Sequence, residues 1–202
     1  NPEPRRLILY TFLAGAACVP LVLPFEHYVT EWFSGILVIV LWAALEEIFK
    51  YEAANITALR RCNADEPIDM VMYMITVALG FSALENAFFL FDPVASGNLV
   101  HSVLTGNLRF FGATLLHVLS SATVGVALAL AFYKPAHIKR LAALAGLVLA
   151  ILLHTLFNFF IIQSNGSTAF LVFAAVWVGI IILILVLEKI KRIRKPRTLI
   201  QS

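Results

Sequence analysis

The chain has 202 residues, 61% of them hydrophobic and 13% charged, and its mean hydropathy is +0.91. A soluble domain carries about 25% charged residues, so the composition excludes a water-soluble globular protein and points to an all-α integral membrane protein. The net charge of +3 comes largely from the C-terminal run "EKIKRIRKPR", which marks a membrane-surface anchor and argues against a nucleic-acid partner.

Six apolar stretches are long enough to cross a hydrocarbon core, which needs about 20 residues. They lie near 7–24, 33–59, 70–91, 108–132, 140–162 and 169–187. The first carries Pro20 and Pro24 near its end and no ionisable group. The second holds Glu46, Glu47 and Lys50, then continues as helix-forming sequence through "IFKYEAANITAL" to Arg60 and Arg61. The third contains "GFSALENAFF", with Glu85 and Asn86; the fourth "RFFGATLLHVLSS", with Arg109 and His117; the fifth "LLHTLFN", with His154 and Asn158. The sixth is wholly apolar and leads into the basic tail, 188–202. No repeat or long linker divides the chain, so residues 1–202 are expected to form one polytopic domain, a bundle of about six transmembrane helices. Cys18 and Cys62 sit in no recognisable motif and read as small packing residues.

Basic residues set the expected orientation. Arg5 and Arg6 precede the first span, and Lys50, Arg60 and Arg61 surround the second connection. Lys134, Lys139 and Arg140 fill the fourth, and six lysines and arginines follow the last span. The first, third and fifth connections have none, apart from Arg109 at the start of span four. This alternation predicts a multi-pass plasma-membrane protein with both termini cytoplasmic.

Ionisable groups inside a bilayer cost about 2.5–3.5 kcal/mol each on insertion scales, so they require partners. Residues one turn apart share a helix face. Gly146, Ala150, His154 and Asn158 therefore form one ladder, and His117 shares a face with Ala113, Ser121 and Gly125. Small residues at this spacing let helices approach closely, which turns the polar groups into the bundle. At 1.5 Å per residue, His154 lies roughly 21 Å from Arg140, Glu85 roughly 24 Å from Asp69, and His117 roughly 13 Å from the outer start of its span. All three fall in the outer half of a core about 30 Å thick. Glu46 joins them only if the second helix continues past Lys50 to Leu59, roughly 20 Å below it. That continuation also lets Lys50 pair with Glu46 at i, i+4, and it makes the helix too long for the bilayer unless it tilts or protrudes.

Taken in order, Glu46-Glu47-Ile48-Phe49-Lys50, Phe81 through Glu85-Asn86, Arg109 with His117, and His154 to Asn158 resemble the four motifs of the PrsW family. These intramembrane proteases are related to the CAAX-protease and bacteriocin-processing (CPBP) superfamily. The resemblance spans about residues 42–158. It implies cleavage of membrane-protein substrates, such as an anti-sigma factor on its extracytoplasmic side.

Two imidazoles and a carboxylate can hold a zinc ion with an open position for water, whose pKa the metal lowers towards 7. In this reading His117, His154 and Glu85 are the expected ligands, and Glu46 or Glu47 is the base. The spare glutamate pairs with Lys50, Asn158 stabilises an oxyanion or orients a ligand, and Asn86 and Arg109 support the site. A metal-free version instead has Glu46 activate water held by His117, with His154 and Asn158 at the oxyanion. Buried Glu, His and Lys also build transporter relays, and a non-catalytic scaffold is a further reading.

Overall fold

A computed structural model describes residues 3–95, 110–163 and 167–194, which are helical apart from short connections. The helices are α1 (Arg5–Trp32), α2 (Ile36–Ala54), α3 (Pro67–Ala95), α4 (Leu115–Leu130), α5 (Ala136–Ile162) and α6 (Ser167–Ile190). A π-helical turn, Asn55–Leu59, extends α2, and another, Phe110–Thr114, leads into α4. The protein is thus an all-α, multi-pass membrane protein. Five of the helices are long and apolar enough to cross a bilayer. The sixth, α2, is interrupted by Glu46, Glu47, Lys50 and Glu52, and the bundle shelters it.

Two boundaries bear on function. The first helix does not stop at residue 24 but continues through Pro20 and Pro24 to Trp32. Each proline removes one backbone hydrogen bond, a defect that membrane helices tolerate when neighbouring helices re-satisfy the freed groups. The extension brings Glu26 into a helix wall. In the second span, helix continues past Lys50 as expected. Asn55 anchors the end of the path, donating from Nδ2 to Glu52 Oε2 (3.1 Å) and accepting at Oδ1 from Arg60 Nε (2.9 Å). From Ile36 to Leu59 this path is roughly 36 Å long, more than the hydrocarbon thickness. At the start of α3, Pro67 supplies a preset φ, and Asp69 Oδ2 accepts the Glu66 amide at 2.7 Å as in a capping box.

Polarity is inverted relative to a soluble protein. On α5, Leu141, Leu144, Val148 and Leu152 face outward, whereas Gly146, Ala150 and His154 are buried. Lipid tails solvate leucine as well as a protein core does, so helix association depends on close packing and polar contacts. Glycines provide the approach. A Cβ at Gly15 would collide with the Val77 carbonyl, and one at Gly80 with the Phe12 carbonyl. A Cβ at Gly125 would come within 2.6 Å of Val71 Cα, and one at Gly146 within 2.9 Å of Val124 Cα. These contacts clamp α1 to α3, α3 to α4 and α4 to α5, the frame that carries the polar centre. Gly80→Leu, which must force α1 off α3, is expected to cost more than the about 1–3 kcal/mol typical of overpacking, read as a lowered unfolding midpoint in detergent.

Candidate active site

Helices α2, α3, α4 and α5 each contribute to one buried polar cluster. Glu47 and Lys50 are fully buried, His117 and His154 nearly so, and Glu46 is 6% exposed. Glu47 is saturated. Its Oε1 accepts from Lys50 Nζ (2.7 Å), Ser120 Oγ (2.8 Å) and His154 Nδ1 (2.9 Å), and its Oε2 from Ser121 Oγ (3.0 Å). The strong lysine contact is thus to Glu47 at i, i+3; Glu46 Oε2 lies 3.9 Å from the ammonium. The i, i+4 pair expected from the sequence is the weaker one, because Glu47 points towards α4, where the two serines complete its coordination. Lys50 Nζ also lies 4.6 Å from the centre of the Phe81 ring, a cation–π contact.

These bonds settle the donor roles of both histidines. A carboxylate only accepts, so His154 donates from Nδ1 and, when neutral, presents a lone pair at Nε2. An ammonium only donates, so the contact of Lys50 Nζ with His117 Nδ1 at 3.1 Å makes that nitrogen an acceptor and leaves His117 Nε2–H to donate to Glu85 Oε2 at 3.1 Å. Each imidazole is therefore held by a carboxylate on one nitrogen and faces Glu46 with the other. Glu46 Oε2 lies 3.8 Å from His117 Nδ1 and 3.8 Å from His154 Nε2. It is buried and makes no hydrogen bond.

An orphaned carboxylate oxygen between two imidazole nitrogens suits a metal ion. Ligand atoms of a tetrahedral zinc lie roughly 3.3 Å apart, given metal–ligand bonds of about 2.0–2.1 Å. Glu46, His117 and His154 could each offer one ligand atom, all within 4.8 Å of one another, and would close up to hold the ion. Carboxylates on the far nitrogens are the usual outer partners of metal-bound histidines. Of the expected ligands, Glu85 contacts Nε2 of His117, and the carboxylate grouped with the two histidines is that of Glu46. Helix depth could place both carboxylates level with the histidines but could not say which nitrogen each would meet. The second group of potential ligands among the described residues, Glu3, Asp65 and Asp69, lies at the opposite end of α3.

The cluster opens on a cavity of about 730 Å³, walled mainly by apolar side chains including Trp42, Phe81, Phe88 and Phe157; Glu26, Glu46, Glu85, His117, His154 and Asn158 also line it. Asn158 lies one turn beyond His154, as expected. Asn86 donates from Nδ2 to Thr114 Oγ1 at 2.9 Å, tying α3 to the turn before α4. Arg109 lies outside the described residues. Sequence reasoning missed Ser120, Thr114 and Glu26, and saw Ser121 only as a face neighbour of His117. The tandem serines one turn beyond His117 were the available signal. Cys18 is buried and Cys62 exposed, and both thiols are free.

Carboxylates and imidazoles gathered beside an apolar cavity, inside a helix bundle built for lipid, define a class: membrane enzymes that carry out polar chemistry within the bilayer. The chain belongs to the PrsW family of intramembrane metalloproteases, whose family model matches residues 3–186. It is 26% identical over 190 residues to Protease PrsW of Shouchella clausii (strain KSM-K16), an alignment covering 92% of this chain and 83% of that one. No solved structure matches. The protein is therefore a peptide hydrolase of the membrane, which selects against the transporter and scaffold readings.

Proposed function

We propose that the protein cleaves a peptide bond of a membrane-protein substrate by attack of a water molecule held among Glu46, His117 and His154. The observation that carries this is Glu46 Oε2, which makes no hydrogen bond yet lies 3.8 Å from a nitrogen of each histidine, on a residue of the cavity wall. Glu47 already accepts four hydrogen bonds and does not line the cavity, so it is set back from the reaction. It acts as a positioning residue, fixing the His154 ring and holding the Lys50 ammonium.

In this proposal Glu46, His117 and His154 would hold a zinc ion. When bound, the ion would polarise the scissile carbonyl and acidify the attacking water. Glu85, on the cavity wall beside His117, then takes up the proton released by the water and returns it to the leaving amine nitrogen as the carbon–nitrogen bond breaks. Asn158 donates to the oxygen that becomes negative in the tetrahedral intermediate. In this proposal Glu46 takes the ligand role expected of Glu85, and Glu85 the base role expected of Glu46 or Glu47. One contact favours a second, metal-free version: Lys50 Nζ already occupies the lone pair of His117 Nδ1 at 3.1 Å. There Glu46 accepts the water proton, and His154 with Asn158 faces the oxyanion.

The substrate we propose is a single-span membrane protein, such as an anti-sigma factor, cut on its extracytoplasmic side. Basic connections on the opposite side and the depth of Glu46, roughly 15 Å from the start of α2, support a plasma-membrane location with cytoplasmic termini and an active site in the outer half of the bilayer. Zinc content of the purified protein, with activity before and after chelation, tests the mechanism. About one zinc per chain and activity restored by added zinc are expected; full activity in metal-free protein would leave only the second version.

A further inference from the structure

Glu26 lies in the last third of α1, past Pro24, and it lines the same cavity as Glu46, Glu85 and both histidines. It is partly buried. Its backbone carbonyl accepts Trp42 Nε1 at 3.1 Å, and Trp42 stands one helical turn outward of Glu46. The contact pins this part of α1 to the active-site helix. Glu31 on the same helix pairs with His27 at 3.3 Å, and Glu46, Glu47 and Glu85 each have a cation or imidazole within 4 Å. Among the described residues, the Glu26 carboxylate has no such partner. Nor does any lysine or arginine among them line the cavity. A carboxylate left alone in an apolar, membrane-embedded wall is costly and calls for a partner from outside the chain.

We propose that Glu26 is a specificity residue that pairs with a lysine or arginine of the substrate, next to the scissile bond on its extracytoplasmic flank. The cavity provides apolar walls for the neighbouring side chains of the unwound substrate segment. The glutamate supplies a carboxylate apart from the histidine cluster that sets their register against Glu46. A cationic residue entering the cavity would meet an oppositely charged group in a poorly solvated setting, where such a pair favours the right substrate and its neutral analogue leaves the carboxylate unpaired.

The proposal rests on this cavity being the substrate site, so its test separates binding from cleavage. Fluorescent single-span Leu/Ala peptides, carrying one lysine or a glutamine at each of several outer-flank positions, are titrated against Glu46→Gln protein in phosphatidylcholine nanodiscs. At one position the lysine peptide is expected to bind at least about tenfold more tightly than its glutamine counterpart. Adding Glu26→Gln should remove that difference, and Glu26→Lys should transfer the preference to a glutamate peptide at the same position. Equal binding of lysine and glutamine peptides throughout, no detectable binding of either, or a lysine preference that survives Glu26→Gln would overturn the proposal. Cleavage of the same peptides by protein with Glu46 intact, against Glu46→Gln, judges the catalytic reading separately: cleavage that persists in Glu46→Gln defeats that reading, whatever the binding series shows.

Discussion

Glu46→Gln is expected to abolish cleavage of a single-span substrate while leaving the protein folded. The substitution keeps size and shape but replaces the carboxylate oxygens with one carbonyl oxygen and one amide NH2. The altered group faces two imidazole nitrogens at 3.8 Å and carries no hydrogen bond at Oε2 that the fold would lose. Loss of a general base alone lowers rates by about 10²–10⁴-fold, and loss of a metal ligand would take the metal with it. Turnover of a reconstituted substrate, with zinc content measured on the same samples, distinguishes these: zinc falls with activity in the first version and is irrelevant in the second. His154→Ala should be equally inactive, because it removes the nitrogen facing Glu46 and the ring that Glu47 orients. Wild-type turnover in both variants would end the case for this cluster as the active site.

Lys50→Met should be the most destabilising single change in the polar centre. It keeps the apolar stem and deletes the ammonium that lies 2.7 Å from Glu47 Oε1, both side chains being fully buried. Breaking a buried ion pair by removing one partner typically costs about 3–5 kcal/mol, since the remaining charge is left uncompensated. The two serines and His154 soften that penalty without replacing a cation. Adding Glu47→Gln should recover much of the loss, and a double-mutant cycle on unfolding midpoints in nanodiscs measures the coupling. The exposed pair Lys191–Glu188 has the same 2.7 Å separation, yet Lys191→Met should change the midpoint little, because surface pairs contribute only about 0–1 kcal/mol. An unchanged midpoint in Lys50→Met would mean that Glu47 is held by its neutral partners alone.

Much of the fold was readable from the chain. Runs of apolar residues of the right length yield transmembrane helices because hydrocarbon leaves no other way to satisfy a backbone. That Glu46, Glu47, His117 and His154 would gather in the bundle interior was readable for a related reason: such groups are too costly in lipid to be left facing it. Helix ends were less legible. Prolines that would break a soluble helix pass through α1, and the Glu26 carboxylate enters the cavity only as a result. Asn55 and Arg60, reaching back over the π-helical turn, keep the second helix path intact below Lys50, and no periodicity announces that closure.

By itself, then, the sequence determined that this is a bundle of membrane helices with one polar centre, because hydropathy and the expense of buried charge act residue by residue. Only the tertiary structure decided which carboxylate meets which nitrogen. Glu46 and Glu47 are adjacent and alike in composition, but they point about 100° apart on a helix. One is turned into a ring of four donors contributed by α2, α4 and α5; the other is turned between two imidazoles at the cavity wall. That difference arises from side chains more than 60 residues away, brought close by glycines that let the helices touch.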